Sequence, residues 1–205
     1  MIGSAVAKVG GVFAAAVAVC ALVALEACTG HGSAPSQFFA SDISGVMPDL
    51  RFVLEGRGGR PMRAGDLHGK IVMMYFGYTH CPDSCPMEMT HIAQAIRSLG
   101  SDARRVRVLF ISVDPRRDSP EWLATYLAPM GQQFIGLTGG DSQLADVIRR
   151  YRVVSGRGPA DANGNYVVYH STGVFVFDRK GRARLLVQPS ETVPQLTRDM
   201  RRLLG

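Results

Sequence analysis

Apolar residues recur along this chain in two rhythms. Residues 71–78 and 106–113 are short, almost unbroken apolar runs, the pattern of strands covered on both faces of a sheet. After the first run, Met89, Ile92, Ala93 and Ile96 fall at helical spacing. Pro86 suits a first helical turn and Gly100 a stop, so a helix is predicted over 86–99. The rhythms then alternate: a helix over 120–130 capped by Ser119, a strand over 134–137, and a helix over 141–151 with Leu144, Val147 and Ile148 on one face. Strands over 167–169, 173–177 and 184–187 follow, with Arg179-Lys180-Gly181 turning between the last two, and 193–204 closes as a helix. Upstream, 50–54 alternates apolar and polar side chains and enters the glycine-rich turn 56–59, which predicts a hairpin. Asp161-Ala162-Asn163-Gly164-Asn165 reads as a turn inside an inserted loop or hairpin. The order predicts an α/β fold: a mixed sheet flanked by helices, with an N-terminal β-hairpin extension.

The first 44 residues follow neither rhythm. Lys8 precedes an uncharged stretch rich in Ala and Val, residues 9–25, and Leu25-Glu26-Ala27-Cys28 follows. A basic start, an apolar stretch and a small residue before a cut read as an export signal. Cys28 directly after Ala27 resembles a bacterial lipoprotein cleavage site, where the cysteine is lipidated. Glu26 departs from that pattern, so an uncleaved anchor is the alternative, although the stretch is shorter than the about 20 residues a span needs. The predicted organisation is an export signal or anchor over 1–27, a flexible tether over 28–44 and a folded domain over 45–205. It puts the domain in the cell envelope, at the outer face of the cytoplasmic membrane. With 46% hydrophobic and 20% charged residues among 205, the core is ample and disulfides are not needed for folding. The net charge of +6 comes from scattered arginines, often in pairs such as Arg149-Arg150, as on solvated faces. No basic stretch interleaved with aromatics points to nucleic acid.

Four cysteines are present. Cys20 reads as an apolar leader residue. Cys81 and Cys85 lie in Gly77-Tyr78-Thr79-His80-Cys81-Pro82-Asp83-Ser84-Cys85-Pro86, on a predicted turn between a buried strand and a helix N-terminus. The unpaired N–H groups and partial positive charge of that helix end favour thiolate, the form that attacks disulfides and binds soft metals. A reactive pair after the first long strand suggests the thioredoxin-like plan. Two thiols at this spacing can chelate one metal ion or close a disulfide, and the spacing does not choose; a third soft or borderline ligand would. His31 lies in the tether, His68 in a surface turn, His80 beside Cys81 but turned away, and His91 on the solvent face of a helix. His170 differs: it ends a strand-like run just before Ser171-Thr172-Gly173, and in a thioredoxin-like sheet that loop lies beside the cysteine turn. From the residues alone, ligand and satisfied loop histidine stand equally open. Met87 and Met89 read as helix packing rather than thioether ligands.

The stretch from Tyr78 to Met89, the segment Ser112-Val113-Asp114-Pro115-Arg116-Arg117-Asp118-Ser119-Pro120, and Tyr169-His170-Ser171-Thr172 closely resemble the Sco/SenC family. These are membrane-tethered, thioredoxin-like copper proteins used in assembling cytochrome c oxidase. The resemblance runs from about residue 45 to 204. It implies that Cys81, Cys85 and His170 are ligands for copper as Cu(I), Cu(II) or both. It implies delivery of copper to the copper-bearing subunit of the oxidase, or, alternatively, reduction of that subunit's cysteines by the Cys81–Cys85 pair. Other copper chaperones or thioredoxin-like reductants are further implied partners. Asp114, Arg117 and Asp118 match a family segment. For Asp114 two roles stand open, support of the site from behind its ligands and an acidic cap that shapes the loop.

Overall fold

The computed structural model describes residues 37–82 and 84–205. The predicted export signal, with Cys20, Cys28 and His31, lies outside the described residues. No helix among the described residues is long and apolar enough to cross a membrane.

A six-stranded mixed sheet organises the domain. β4 (Ile71–Gly77) lies in its interior and pairs in parallel with β5 (Val106–Ser112), which pairs in parallel with β6 (Phe134–Leu137). On the other side of β4 come β9 (Val174–Phe177), β10 (Ala183–Val187) and the edge strand β1 (Ser41–Asp42), each antiparallel to its neighbour. Helices α1 (Ser84–Ser98), α2 (Pro120–Leu127), α3 (Asp141–Arg150) and α4 (Val193–Leu204) complete the layers. Every residue of β4 is buried. Successive strand residues point to opposite faces, so both faces of the sheet are covered here. Each fully buried Ile, Phe or Met contributes about 1.5–3 kcal/mol, which is why the longest apolar runs mark the interior strands.

The two faces carry different aromatic layers. Tyr75 points one way and meets Phe110 at 5.9 Å between ring centres, and Phe110 meets Tyr126 at 5.7 Å. Phe76 points the other way, to Tyr151 and Phe175 at 6.3 and 6.2 Å. The Tyr75 layer runs beneath the cysteine loop. Gly77 ends β4 where this layer is tightest: a Cβ there would lie 2.7 Å from the Tyr75 ring and 2.9 Å from Phe110.

Two hairpins stand outside the sheet, β2 (Val53–Glu55) with β3 (Pro61–Arg63) and β7 (Ser155–Arg157) with β8 (Val168–His170). The first is the predicted N-terminal extension. The second is the predicted insertion, and at its tip the Asp161 carboxylate accepts the N–H groups of Asn163 and Asn165, each at 2.8 Å.

The predicted thioredoxin-like sheet flanked by helices is thus observed, with two differences at its margins. β1 falls within residues 28–44, predicted as tether, and the Ala40 N–H donates to the buried Asp199 carboxylate at 2.8 Å. The folded unit therefore begins ahead of Gly45. α1 begins at Ser84, ahead of the predicted start at residue 86, so Cys85 sits inside the first helical turn rather than on the preceding loop.

Candidate metal centre

The loop from β4 into α1 is held from below by one buried carboxylate. Asp118 accepts the Thr79 backbone N–H at 3.1 Å, the Thr79 hydroxyl at 2.6 Å and the Ser112 hydroxyl at 2.7 Å. Trp122, in the first turn of α2, donates its indole N–H to the Thr79 oxygen at 2.8 Å. These bonds join the ends of β4 and β5 to α2 and fix the chain just before Cys81. His80 is 46% exposed and turns to Thr79 and Asp118, with its ring nitrogen 3.7 Å from the carboxylate.

Both cysteines are reduced. Cys81 is half-buried; its sulfur lies 3.2 Å from the Ser84 hydroxyl and accepts the Cys85 N–H at 3.5 Å. Cys85 is fully buried beneath it. The Tyr75 hydroxyl donates to the Cys85 sulfur at 3.5 Å, and His170 Nε2 lies 3.3 Å from the same sulfur. His170 Nδ1 is 2.9 Å from the Ser171 carbonyl. A carbonyl can only accept, so Nδ1 carries the hydrogen and Nε2 turns its lone pair to Cys85. The His170 ring is held edge-on between Tyr75 and Tyr78, at 5.8 and 5.9 Å.

The structure thus brings Cys85 and His170 into contact across 85 residues of sequence, with Cys81 above them. Among the described residues no three His, Cys, Asp or Glu side chains already stand as a closed ligand set. The expected thiolate at the helix end holds poorly for Cys85. Burial pushes its thiol up to about 11, against the lowering by the Tyr75 hydroxyl. Desolvation therefore outweighs the helix dipole, whose effect is about 0.3–1 kcal/mol at exposed sites.

Asp114 is buried but touches neither cysteine nor His170. It accepts the Tyr166 hydroxyl at 2.7 Å and pairs with the Arg117 guanidinium, which stacks on Tyr166 at 3.8 Å and lies over Tyr78 at 5.7 Å. Arg157, on β7, approaches the same carboxylate at 4.0 Å. Asp114 is therefore an anchor for the hairpin that carries His170. Of the two methionines, Met89 is core as predicted, but Met87 is 69% exposed on the first turn of α1. Tyr75 and Asp118 belong to the site's framework. Tyr75 looked like one more strand residue, and the sole signal in the sequence was a hydroxyl inside an otherwise apolar run.

Two thiols and one imidazole, from a loop, a helix start and a strand end, could hold a soft or borderline metal ion. Comparisons with known proteins identify the family. The sequence profile of the SCO1/SenC family matches residues 47–205. The mitochondrial SCO2 homolog of Mus musculus is 36% identical over 153 residues, 74% of this chain and 60% of that protein. The chain spans about three fifths of the length of the curated relatives it matches. ScoI of Bradyrhizobium japonicum, solved with copper bound, superposes with a TM-score of 0.70 at 34% identity, covering 76% of this chain and 98% of that one. A SCO1/SenC family lipoprotein from Bacillus anthracis gives a TM-score of 0.63 at 26% identity, covering 77% of this chain and 95% of that one. A chain whose site is built on this fold, and whose residues match the profile from 47 to the end, belongs to the SCO1/SenC family.

Proposed function

We propose that this protein binds one copper ion through Cys81, Cys85 and His170 and delivers it to the copper-bearing subunit of cytochrome c oxidase during assembly. The observation that carries the reading is the Cys85–His170 contact at 3.3 Å, with the imidazole lone pair held on the sulfur by the Ser171 carbonyl. Cys85 and His170 provide two preset donors. Cys81, whose sulfur meets the Ser84 hydroxyl and the Cys85 N–H, turns about its Cα–Cβ bond to become the third. Three donors with a half-buried outer thiol leave room for a partner's ligand to enter, so the cargo moves by stepwise exchange rather than by dissociation into water. The copper carried by the similar ScoI supports the choice of metal.

Copper loading of the full chain, read by stoichiometry and spectroscopy, tests this. Cys81→Ser, Cys85→Ser and His170→Ala should each abolish binding or weaken it by roughly tenfold or more. Unchanged loading of His170→Ala removes the histidine from the ligand set.

A second reading is favoured by the stacking of an accessible thiol over a buried one. In it, Cys81 attacks a disulfide of the partner subunit, Cys85 resolves the mixed disulfide, and two electrons pass to the partner's thiols. The resulting Cys81–Cys85 disulfide is reduced again by a thioredoxin-like dithiol. His170→Ala separates the two roles: it should lose delivery at limiting copper yet keep dithiol exchange. Full rescue of oxidase assembly by His170→Ala at limiting copper selects the reductase.

The chain organisation in this proposal is an export signal or anchor over 1–27, a tether following it from residue 28, and the copper domain read over 45–205. The protein then sits at the outer face of the cytoplasmic membrane as a lipoprotein modified at Cys28, with an uncleaved anchor as the alternative. The lipoprotein from Bacillus anthracis supports this placement. Mass spectrometry of the mature N-terminus decides between them.

A further inference from the structure

A cavity of about 880 Å³ lies away from the cysteines, between the segment around Arg51 and helix α3. Its walls carry Arg51, Arg149, Arg150 and Arg152 against a single carboxylate, Asp146. Asp146 is taken by Arg149. Among the described residues the guanidinium groups of Arg51, Arg150 and Arg152 make no ion pair. Arg149 and Arg150 complete the last turn of α3, where basic residues offset the helix's negative end. That accounts for neither Arg51, on the opposite wall, nor Arg152, beyond the helix.

Arg152 stands in the left-handed region at φ 54°, a position that favours glycine. Its N–H bonds the Arg149 carbonyl at 3.2 Å and the Val153 N–H bonds Ile148 at 3.0 Å, which closes the helix end and aims the side chain at the cavity. Concave, uncompensated positive charge focuses a field that draws anions. The rim adds a second feature. Val46 is 66% exposed and Val53 41% exposed, and both line the same cavity. Bare apolar side chains beside arginines are the composition of a surface that settles into the headgroup layer of a membrane.

We propose that this cavity is a headgroup site for anionic phospholipid. The guanidinium groups of Arg51, Arg150 and Arg152 receive the phosphodiester, and Val46 and Val53 enter the acyl boundary. The proposal rests on the membrane-tethered reading of the N-terminus. The wall that carries Val46 and Arg51 comes just after β1, where the folded unit begins. A tether from residue 28 to β1, about 12 residues, reaches as far as about 40 Å and fixes no orientation. A headgroup contact at the start of the domain would fix one.

The test uses the full chain in nanodiscs of phosphatidylcholine alone or mixed with phosphatidylglycerol, read by hydrogen–deuterium exchange. Residues 45–53 and 149–153 should exchange more slowly in the phosphatidylglycerol discs only. The effect should vanish at high salt and in Arg51→Gln/Arg150→Gln/Arg152→Gln. Sedimentation with phosphatidylglycerol vesicles should fall roughly fivefold for each arginine removed. Copper loading and the thermal midpoint of that variant should stay unchanged, which shows an intact fold. Equal exchange in the two discs overturns the proposal. So does the same protection by inorganic phosphate in detergent without anionic lipid, which makes the cavity a soluble-phosphate site. A chain that fails to enter phosphatidylcholine discs yet sediments with phosphatidylglycerol vesicles, and loses this in the variant, keeps the headgroup site and removes the tether.

Discussion

At the scale of single residues, the site is governed by competition between burial and charge. Cys85 is buried and its thiol is pushed up to about 11, whereas Cys81 is half-buried above it. Iodoacetamide at pH 8 should therefore label Cys81 first and leave Cys85 unlabelled until denaturant is added. Peptide mapping that finds Cys85 labelled first would contradict this order. A thiol that holds its proton must lose it to a metal, so copper affinity should rise by roughly tenfold per pH unit from Cys85 alone between pH 6 and 9. Tyr75 supplies the larger of two opposing pulls, and the Tyr78 backbone supplies the other. Tyr75→Phe removes the O–H donor from the Cys85 sulfur, should slow its alkylation further, and should cost about 1 kcal/mol of stability. The proposed ligands were legible only through the family resemblance: the Cys81–Cys85 spacing left metal and disulfide open, and His170 stood equally open as ligand and as loop histidine. Their environment was not legible. A helix end is visible in a sequence, but the depth at which Cys85 sits beneath it is set by the packing of Tyr75, Phe110 and Tyr126.

At the scale of elements, legibility followed length. β4, β5 and the four helices were readable because each shows several turns or pleats of one rhythm. β1, with two polar exposed residues, and β7, a Ser-Gly-Arg segment, carry no apolar pattern. They exist because a neighbour offers them an edge, β10 for the one and β8 for the other. The start of α1 shifted for a similar reason: Ser84 joins the helix before the apolar stripe begins. Gly77 shows how closely an element and the site are joined. A methyl group there meets the Tyr75 and Phe110 rings, both buried and unable to swing into solvent. Gly77→Ala should destabilise the domain by about 1–3 kcal/mol, the usual cost of overpacking. It should also weaken copper binding, because the ring it displaces carries the hydroxyl that bonds Cys85. A lowered melting temperature with unchanged copper affinity would show that the strand end and the thiol are independent.

At the scale of the whole molecule, three buried carboxylates lie on α1, on α4 and just before α4, and one of them bonds the N-terminal segment. Glu88 lies on α1 and is 8% exposed, Glu191 precedes α4, and Asp199 lies within α4 and receives the Ala40 N–H. Among the described residues, one oxygen of each has no hydrogen-bond partner. Burial, reinforced by the charge of Glu191, pushes Glu88 up to about 7, and burial pushes Glu191 up as well. The folded protein thus holds a proton on Glu88 that the unfolded chain, near 4.5, has released. The contribution to stability is complete below the unfolded value and is lost as pH rises through the folded one. Stability should accordingly decline between about pH 5 and 7.5, by on the order of 1–3 kcal/mol for this group. Asp42 and Asp178 are held low and act with the opposite sign, but below this window. His91, lowered by burial, does act within it with the opposite sign, so the comparison must be with a variant that shares it. Glu88→Gln keeps the shape and cannot ionise. Urea unfolding across this range should give a difference between the two proteins that grows with pH, the variant being the more stable at pH 8. Parallel profiles would mean that Glu88 is already ionised in the fold and that water or a cation reaches its unpaired oxygen.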